Sequence, residues 1–283
     1  MDSRIGGREL SVPGRSLPGM TERDSYPAGT PSWVDIGSPD PEVTAKFYGE
    51  LFGWDVGAPG GPETGGYRMA MLKGRPVAGI GPAQAEGTPW WTTYVTVDDA
   101  DATAKSVEAA GGKVIAAPFD VLTAGRMGIF SDPGGALFSV WQPIDHHGSG
   151  LVNEHGSPTW NELTTRHLDD VRPFYEKVFG WEASEHDMGG GTKYTVWNLD
   201  GTGIGGAVRM EGDQWPADLP DHWVVYFAVD DCDASVAKAT ELGGTVTMPP
   251  TSIPSVGRFA IVNGPHGEVL AVITNEQPAE SNT

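Results

Sequence analysis

The chain contains itself twice, and this repeat limits what it can fold into. Residues 31–54 lie on 158–181 at an offset of 127 with no gap. They share Pro31/Pro158, Trp33/Trp160, Phe47-Tyr48/Phe174-Tyr175 and Phe52-Gly53-Trp54/Phe179-Gly180-Trp181. Residues 90–141 then lie on 222–273 at an offset of 132, with 17 of 52 positions identical. Self-similarity over most of a chain means two structural units of one kind. The predicted division is a disordered tail over 1–30, a first domain over 31–145, a polar linker over 146–157, a second domain over 158–274 and a tail over 275–283.

Each copy itself reads as two smaller units. The first opens with a strand, Trp33–Gly37 or Trp160–Thr164, followed by a helix. Val171, Phe174, Tyr175, Val178 and Phe179 fall at helical spacing on one apolar face. Gly53 and Gly180 stand where a left-handed residue stops such a helix. Three short strand-like runs come next, among them Tyr194–Asp200 and Ile204–Met210. The second unit repeats the order. Trp91–Val97 and Trp223–Val229 are strands. Asp99 or Asp101, and Asp231 or Asp233, cap an Ala-rich helix that ends at Gly111-Gly112 or Gly243-Gly244. Three strands close the unit. The predicted fold is α+β, with strand–helix–three-strand modules paired in each copy.

Composition removes several function classes. Lys+Arg number 18 and Asp+Glu 38, a formal net charge of −20, which repels nucleic-acid backbones and acidic membranes. The chain lacks the roughly 18 consecutive apolar residues of a membrane helix, and residues 1–19 lack the apolar core of a signal peptide. With 10 Trp and 39% hydrophobic residues there is material for real cores. Cys232 is the only cysteine, which rules out an internal disulfide and a multi-thiolate zinc site. A cytoplasmic location is expected, as a monomer or homodimer. Gly189-Gly190-Gly191 and Gly203-Ile204-Gly205-Gly206 read as hairpin glycines without a phosphate-loop context.

The module order, the Phe-Tyr and Phe-Gly-Trp residues ending the first helix, and the turn Asp132-Pro133-Gly134-Gly135 resemble the vicinal oxygen chelate superfamily. Its members include glyoxalase I, extradiol dioxygenases and the bleomycin- and fosfomycin-resistance proteins. More narrowly, the chain resembles two-domain actinobacterial glyoxalase-like proteins, some labelled hydroxylases. The resemblance covers about residues 31–274. It implies curled sheets that each enclose a cup. It also implies metal ligands at Trp33, Thr92 and Ser139 in copy one and at Trp160, Val224 and Ala271 in copy two. Trp, Val and Ala have no donor to give, and neutral hydroxyls are weak ligands. No metal and no other cofactor is therefore expected.

Strand alternation selects the candidate site. Trp33, Asp35, Thr92, Tyr94, Ser139 and Trp141 share one face in copy one. Trp160, Glu162, Val224, Tyr226 and Ile273 do so in copy two. Asp35 and Glu162 are candidate catalytic acids or bases, and the others, with His222, are candidate ligand contacts. The bland alternative is a packed aromatic core. His266 and Glu268 flank a turn, His146, His147 and His155 lie in the linker, and Cys232 reads as a small core residue. Arg126 and Arg258 serve either as strand anchors or as carboxylate clamps. The expected function is a metal-independent glyoxalase-like protein, a lyase, isomerase or hydroxylase by resemblance. It would bind or act on an aromatic or polycyclic metabolite in a Trp/Tyr-lined cup. The alternatives are a drug-sequestering protein of the bleomycin-resistance type and a metal-dependent lyase or dioxygenase with unusual ligands.

Overall fold

The structure is a computed structural model that describes residues 21–84, 87, 89–188 and 193–276. Copy one runs β1 (Pro31–Ser38), α1 (Pro41–Phe52), β2 (Asp55–Val56), β3 (Arg68–Leu72), β4 (Arg75–Pro82), β5 (Trp91–Thr96), α2 (Ala100–Ala109), β6 (Lys113–Val121), β7 (Gly125–Ser131) and β8 (Leu137–Pro143). Copy two runs β9 (Pro158–Thr165), α3 (Leu168–Phe179), β10 (Glu182–Asp187), β11 (Lys193–Leu199), β12 (Thr202–Arg209), β13 (His222–Ala228), α4 (Cys232–Glu241), β14 (Thr245–Ile253), β15 (Gly257–Asn263) and β16 (Val269–Asn275). Each copy builds one curled eight-stranded sheet, in the orders β2-β3-β4-β1-β5-β8-β7-β6 and β10-β11-β12-β9-β13-β16-β15-β14. The fold is α+β, with each sheet formed within a single copy.

Local signals account for the helices. Asp40 caps α1 by accepting from the amides of Glu42 and Val43. Asp99 and Asp231, rather than Asp101 and Asp233, cap α2 and α4. Gly53 and Gly180 end α1 and α3 at φ 73° and 74°. Arg126 and Arg258 are strand anchors. Each forks onto the first-turn acid of the neighbouring helix, Asp101 or Asp233.

The sheets are separate, but the cores are shared between copies. Val34, Ile36, Phe47, Phe52 and Trp54 of copy one pack in one cluster with Val225, Phe227, Val262 and Leu270 of copy two. A second cluster joins Val95, Phe130, Phe138 and Val140 to Leu163, Val171, Phe174 and Trp181. Thus α1 meets α4 and α2 meets α3. Cys232 is buried in the first cluster, as expected of a small core residue, and burial pushes its thiol up to about 11. At the centre, Thr93 donates to Asn161 Oδ1 across the copies at 2.8 Å.

Two buried tyrosines lock this arrangement. Tyr48 donates to Glu268 Oε1 at 2.9 Å and accepts from Trp91 Nε1 at 3.2 Å. Tyr175 donates to Asp132 Oδ2 at 2.9 Å and accepts from Trp223 Nε1 at 3.2 Å. The tyrosines are equivalent in the repeat, but the carboxylates are not. Asp132 aligns with Gly264, and Glu268 with Ala136. The acid has moved from one end of the turn to the other. Gly264 leaves the room, since a Cβ there would overlap Glu268 Oε1. Burial raises the Asp132 carboxyl to about 6, against the hydrogen bond from Tyr175.

Residues 21–30, expected to belong to a disordered tail, are instead built into the fold; residues 1–20 and 277–283 lie outside the described residues. Gly29, at φ 86°, donates to Thr96 O and accepts from Trp181 Nε1 at 2.7 Å. Tyr26 donates to Ser149 O, and Arg75 pairs with Glu22 and Asp24. Gly156, at φ 78°, does the same for Trp54 at 2.6 Å. Gly29 and Gly156 stand 127 apart, so the repeat begins before residue 31. The linker is likewise ordered, and β16 extends to Asn275.

Two outcomes follow for stability. Gly264→Ala should destabilise the protein by about 1–3 kcal/mol through overpacking against Glu268, read from chemical denaturation. Deleting residues 1–29 should lower the melting temperature by several degrees, because buried Trp181 Nε1 loses its acceptor, a loss of about 1–3 kcal/mol. Unchanged melting would mean that the segment is not part of the folded unit.

Candidate functional site

The face of each sheet away from the helices carries the candidate site. On β1 and β9 the alternation that sends Val34, Ile36 and Leu163 into the shared cores sends Trp33, Asp35, Trp160 and Glu162 to the cup side. Register brings the rest together. Asp35 stands opposite Thr92, Trp33 opposite Tyr94, and Tyr94 beside Ser139. Glu162 stands opposite Val224, and Trp160 opposite Tyr226. Trp33, Tyr94 and Trp141 form one cluster, against which Met69, Val121, Ala124 and Met127 pack. Val224, Tyr226, Ala271 and Ile273 form the other, with Trp160, Val256 and Phe259.

At the polar centre of each cup lies the same network. In copy one, Trp33 Nε1 donates to Tyr67 Oη at 3.1 Å. Tyr67 and Tyr94 both donate to Asp35 Oδ2, at 3.2 Å and 2.8 Å. In copy two, Trp160 Nε1 donates to Tyr194 Oη at 2.9 Å, and Tyr226 donates to Glu162 Oε1 at 3.0 Å. The Tyr194 hydroxyl also acts on the Glu162 carboxyl, and the Thr92 hydroxyl on that of Asp35, each lowering its pKa. A tryptophan, two tyrosines and a carboxylate thus recur twice.

Tyr67 and Tyr194 were not among the residues singled out from sequence. They too stand 127 apart, as do Gly79 and Gly206, over which their rings lie. A Cβ at either glycine would overlap the tyrosine hydroxyl. Carrying the repeat through the hairpin would have found them.

Burial pushes the Asp35 carboxyl up to about 6, against the hydrogen bonds from Tyr94, Tyr67 and Thr92. Burial also raises Glu162, opposed by Tyr194 and Tyr226. All four tyrosine hydroxyls are held well above their ordinary value by burial and by the neighbouring carboxylate. A carboxyl at about 6, ringed by neutral hydroxyl donors, can accept a proton near neutral pH. The cups differ in exposure. Asp35 is partly exposed whereas Glu162 is buried, and Trp160 is partly exposed whereas Trp33 is buried.

His222 starts β13, and its Nδ1 lies 2.8 Å from Pro220 O, outside the described network around Glu162. Glu268 is wholly buried with Tyr48 at the contact between copies, so it does not face a cup. His146, a linker residue with no assigned role in the sequence reading, packs edge-on against Trp33 with ring centroids 4.4 Å apart. Gly189-Gly190-Gly191 lie outside the described residues.

The family fold implies a divalent metal, and the side chains do not fit one. Trp33, Thr92 and Ser139, or Trp160, Val224 and Ala271, face the cups where ligands are implied. Each network holds a single carboxylate. Among the described residues no group of three or more His, Cys, Asp or Glu is placed to hold a metal ion. No described helix is long and apolar enough to cross a membrane.

Residues 30–140 and 157–272 both match the Glyoxalase/Bleomycin resistance protein/Dioxygenase superfamily, and the chain belongs to it. "Putative glyoxylase CFP32" of Mycobacterium tuberculosis (strain CDC 1551 / Oshkosh) is 43% identical over 263 residues, covering 90% of this chain and 98% of that protein. "Anthracycline biosynthesis protein DnrV" of Streptomyces peucetius is 38% identical over 266 residues, covering 88% and 94%. The Mn(II)-bound glyoxalase from Novosphingobium aromaticivorans superposes with a TM-score of 0.62 at 19% identity, covering 90% of this chain and 85% of that one. The last likeness is one of fold alone.

The raised carboxyl has a testable sign. Folding favours the neutral form of Asp35, so its contribution to stability is present in acid and lost as the pH climbs from 3.8 through about 6. Carbon-13 NMR of the Asp35 carboxyl should give a midpoint near 6. Melting temperature should rise between pH 7.5 and 5.5, and Asp35→Asn should remove part of that rise. A midpoint below 3.8 would mean that the hydroxyl donors outweigh burial.

Proposed function

We propose that this chain is a metal-independent member of the superfamily that binds, and acts on, a flat aromatic or polycyclic metabolite in a Trp/Tyr-lined cup. The observation that carries the reading is the repeated network of tryptophan, two tyrosines and one carboxylate, standing where the family would place metal ligands. Aromatic side chains with a few convergent polar groups suit a flat ligand with polar substituents. The name of DnrV connects that relative to anthracycline biosynthesis, which supports a polycyclic ligand class.

In the catalytic form of this reading, Asp35 or Glu162 takes a proton from an acidic C–H or O–H of the ligand. The adjacent tyrosine hydroxyls then donate to the oxygen on which negative charge develops. Asp35 is the better placed for proton exchange, because it is partly exposed. The rival reading is sequestration without turnover. It draws support from the buried indole of Trp33 and the closed hydrogen bonding of Glu162, which suit holding better than proton transfer.

Native mass spectrometry of chelator-treated protein against a panel of polycyclic phenols and quinones tests the ligand class. A retained complex is expected. Ligand retention or turnover only when a transition metal is added back would contradict metal independence. Trp160→Ala or Trp33→Ala should weaken binding by about 2 kcal/mol in whichever cup is used. Asp35→Asn and Glu162→Gln keep shape and remove charge. If one carboxylate is the base, its amide variant loses turnover with a modest loss of affinity, and the wild-type rate rises with pH through about 6 for Asp35. Unchanged turnover in both variants would leave sequestration.

A further inference from the structure

We propose, building on the reading above, that the copy-one cup is the ligand site and that His146 Nε2 recognises a ring hydroxyl of the bound polycycle. The imidazole comes from the segment joining the copies, not from the repeat. It stands edge-on to Trp33 at 4.4 Å and 83°, and to Trp141 at 5.8 Å and 68°. Its own carbonyl fixes the position by accepting from Trp141 Nε1 at 2.7 Å. Nε2 is buried and has no hydrogen-bond partner in the protein. A buried polar nitrogen without a partner is costly, and natural structures tolerate few. A ligand hydroxyl would remove that cost.

The surroundings agree on ligand class. Burial, with His147 nearby, lowers the ring to about 4, so it is a neutral imidazole at physiological pH. A neutral imidazole nitrogen accepts from a phenol, whereas an imidazolium would instead seek an anion. Trp33 also reaches a second polar group, Tyr67 with Asp35, through its Nε1. Phe119 pairs with Met127, which packs on the Trp33 cluster, and is 46% exposed, a large aromatic surface partly open to solvent. Copy two has Thr251 at that place, paired with Phe259. Among the described residues it brings no histidine to Trp160. The two cups share a Trp/Tyr/carboxylate network, and among the described residues copy one adds to it the exposed Phe119 and the unpaired His146 Nε2 beside Trp33. A flat aromatic with two hydroxyls would offer one to Asp35 and the other to His146.

The test titrates the full chain with 2,6-dihydroxyanthraquinone and with unsubstituted 9,10-anthraquinone, following tryptophan quenching. His146→Phe keeps the ring wedge and removes the nitrogen, His146→Gln keeps a polar atom, and His147→Phe makes the same change at the exposed neighbour. Wild type should prefer the dihydroxy compound. His146→Phe should lose roughly tenfold for that compound, the scale of one hydrogen bond, and less than about twofold for anthraquinone. His146→Gln should recover part of the preference, and His147→Phe should match wild type. If wild type binds both quinones and His146→Phe weakens neither, or both equally, the assignment of His146 is overturned. Should wild type bind neither, the polycyclic ligand class itself fails. Circular dichroism of each variant confirms folding, and a His146→Phe chain that unfolds leaves His146→Gln to decide, with full wild-type discrimination expected to fail there only in part.

Discussion

The molecule depends on burying the helix-bearing face of one sheet against that of the other. Neither copy closes its own core. Phe52 of α1 packs on Phe227 of β13 at 4.9 Å, and Phe138 of β8 packs on Phe179 of α3 at 5.8 Å. Burying one such side chain is worth roughly 1.5–3 kcal/mol, and each cluster contains many. Parting the copies would expose both clusters together. The same packing turns the other face of each sheet outward, and so fixes where the cups lie and which residues of each strand line them.

Within the cups the energetics invert. A carboxylate on a largely buried aromatic surface is unfavourable unless hydrogen bonds compensate. Tyr67 and Tyr94 supply them to Asp35, and Tyr226 supplies one to Glu162. Burial still dominates, which is why both acids are raised. The carboxylates at Asp132 and Glu268 show the other use of such pairing. They face tyrosines across the boundary between copies, away from either cup, and their role is to fix how the copies meet.

The architecture was legible because the repeat runs over most of the chain and the central strands alternate with a period of two. Alternation alone placed Trp33, Asp35, Tyr94 and Trp141 on one face, and Trp160, Glu162 and Tyr226 on another. It did not reveal Tyr67, just before β3, and Tyr194, on β11, which reach the carboxylates from beyond a helix and an outer strand in the chain. Gly206, which sits under the Tyr194 ring, reads from sequence as an ordinary hairpin glycine. Residues 21–30 carry no apolar periodicity, and what holds them are partners far along the chain, among them Arg75, Ser149 and Trp181. Glu268 defeated alignment for a different reason. Its equivalent position holds alanine, because the acid moved along the turn while its function stayed.

The most direct test of the account is a crystal structure of the chelator-treated protein with a hydroxylated anthraquinone bound. The account predicts the ring system seated in a cup against Trp33 or Trp160. A ligand oxygen should lie within hydrogen-bond distance of Asp35 or Glu162, with no metal ion between them. A ligand bound through a metal ion, or seated away from both networks, would contradict it.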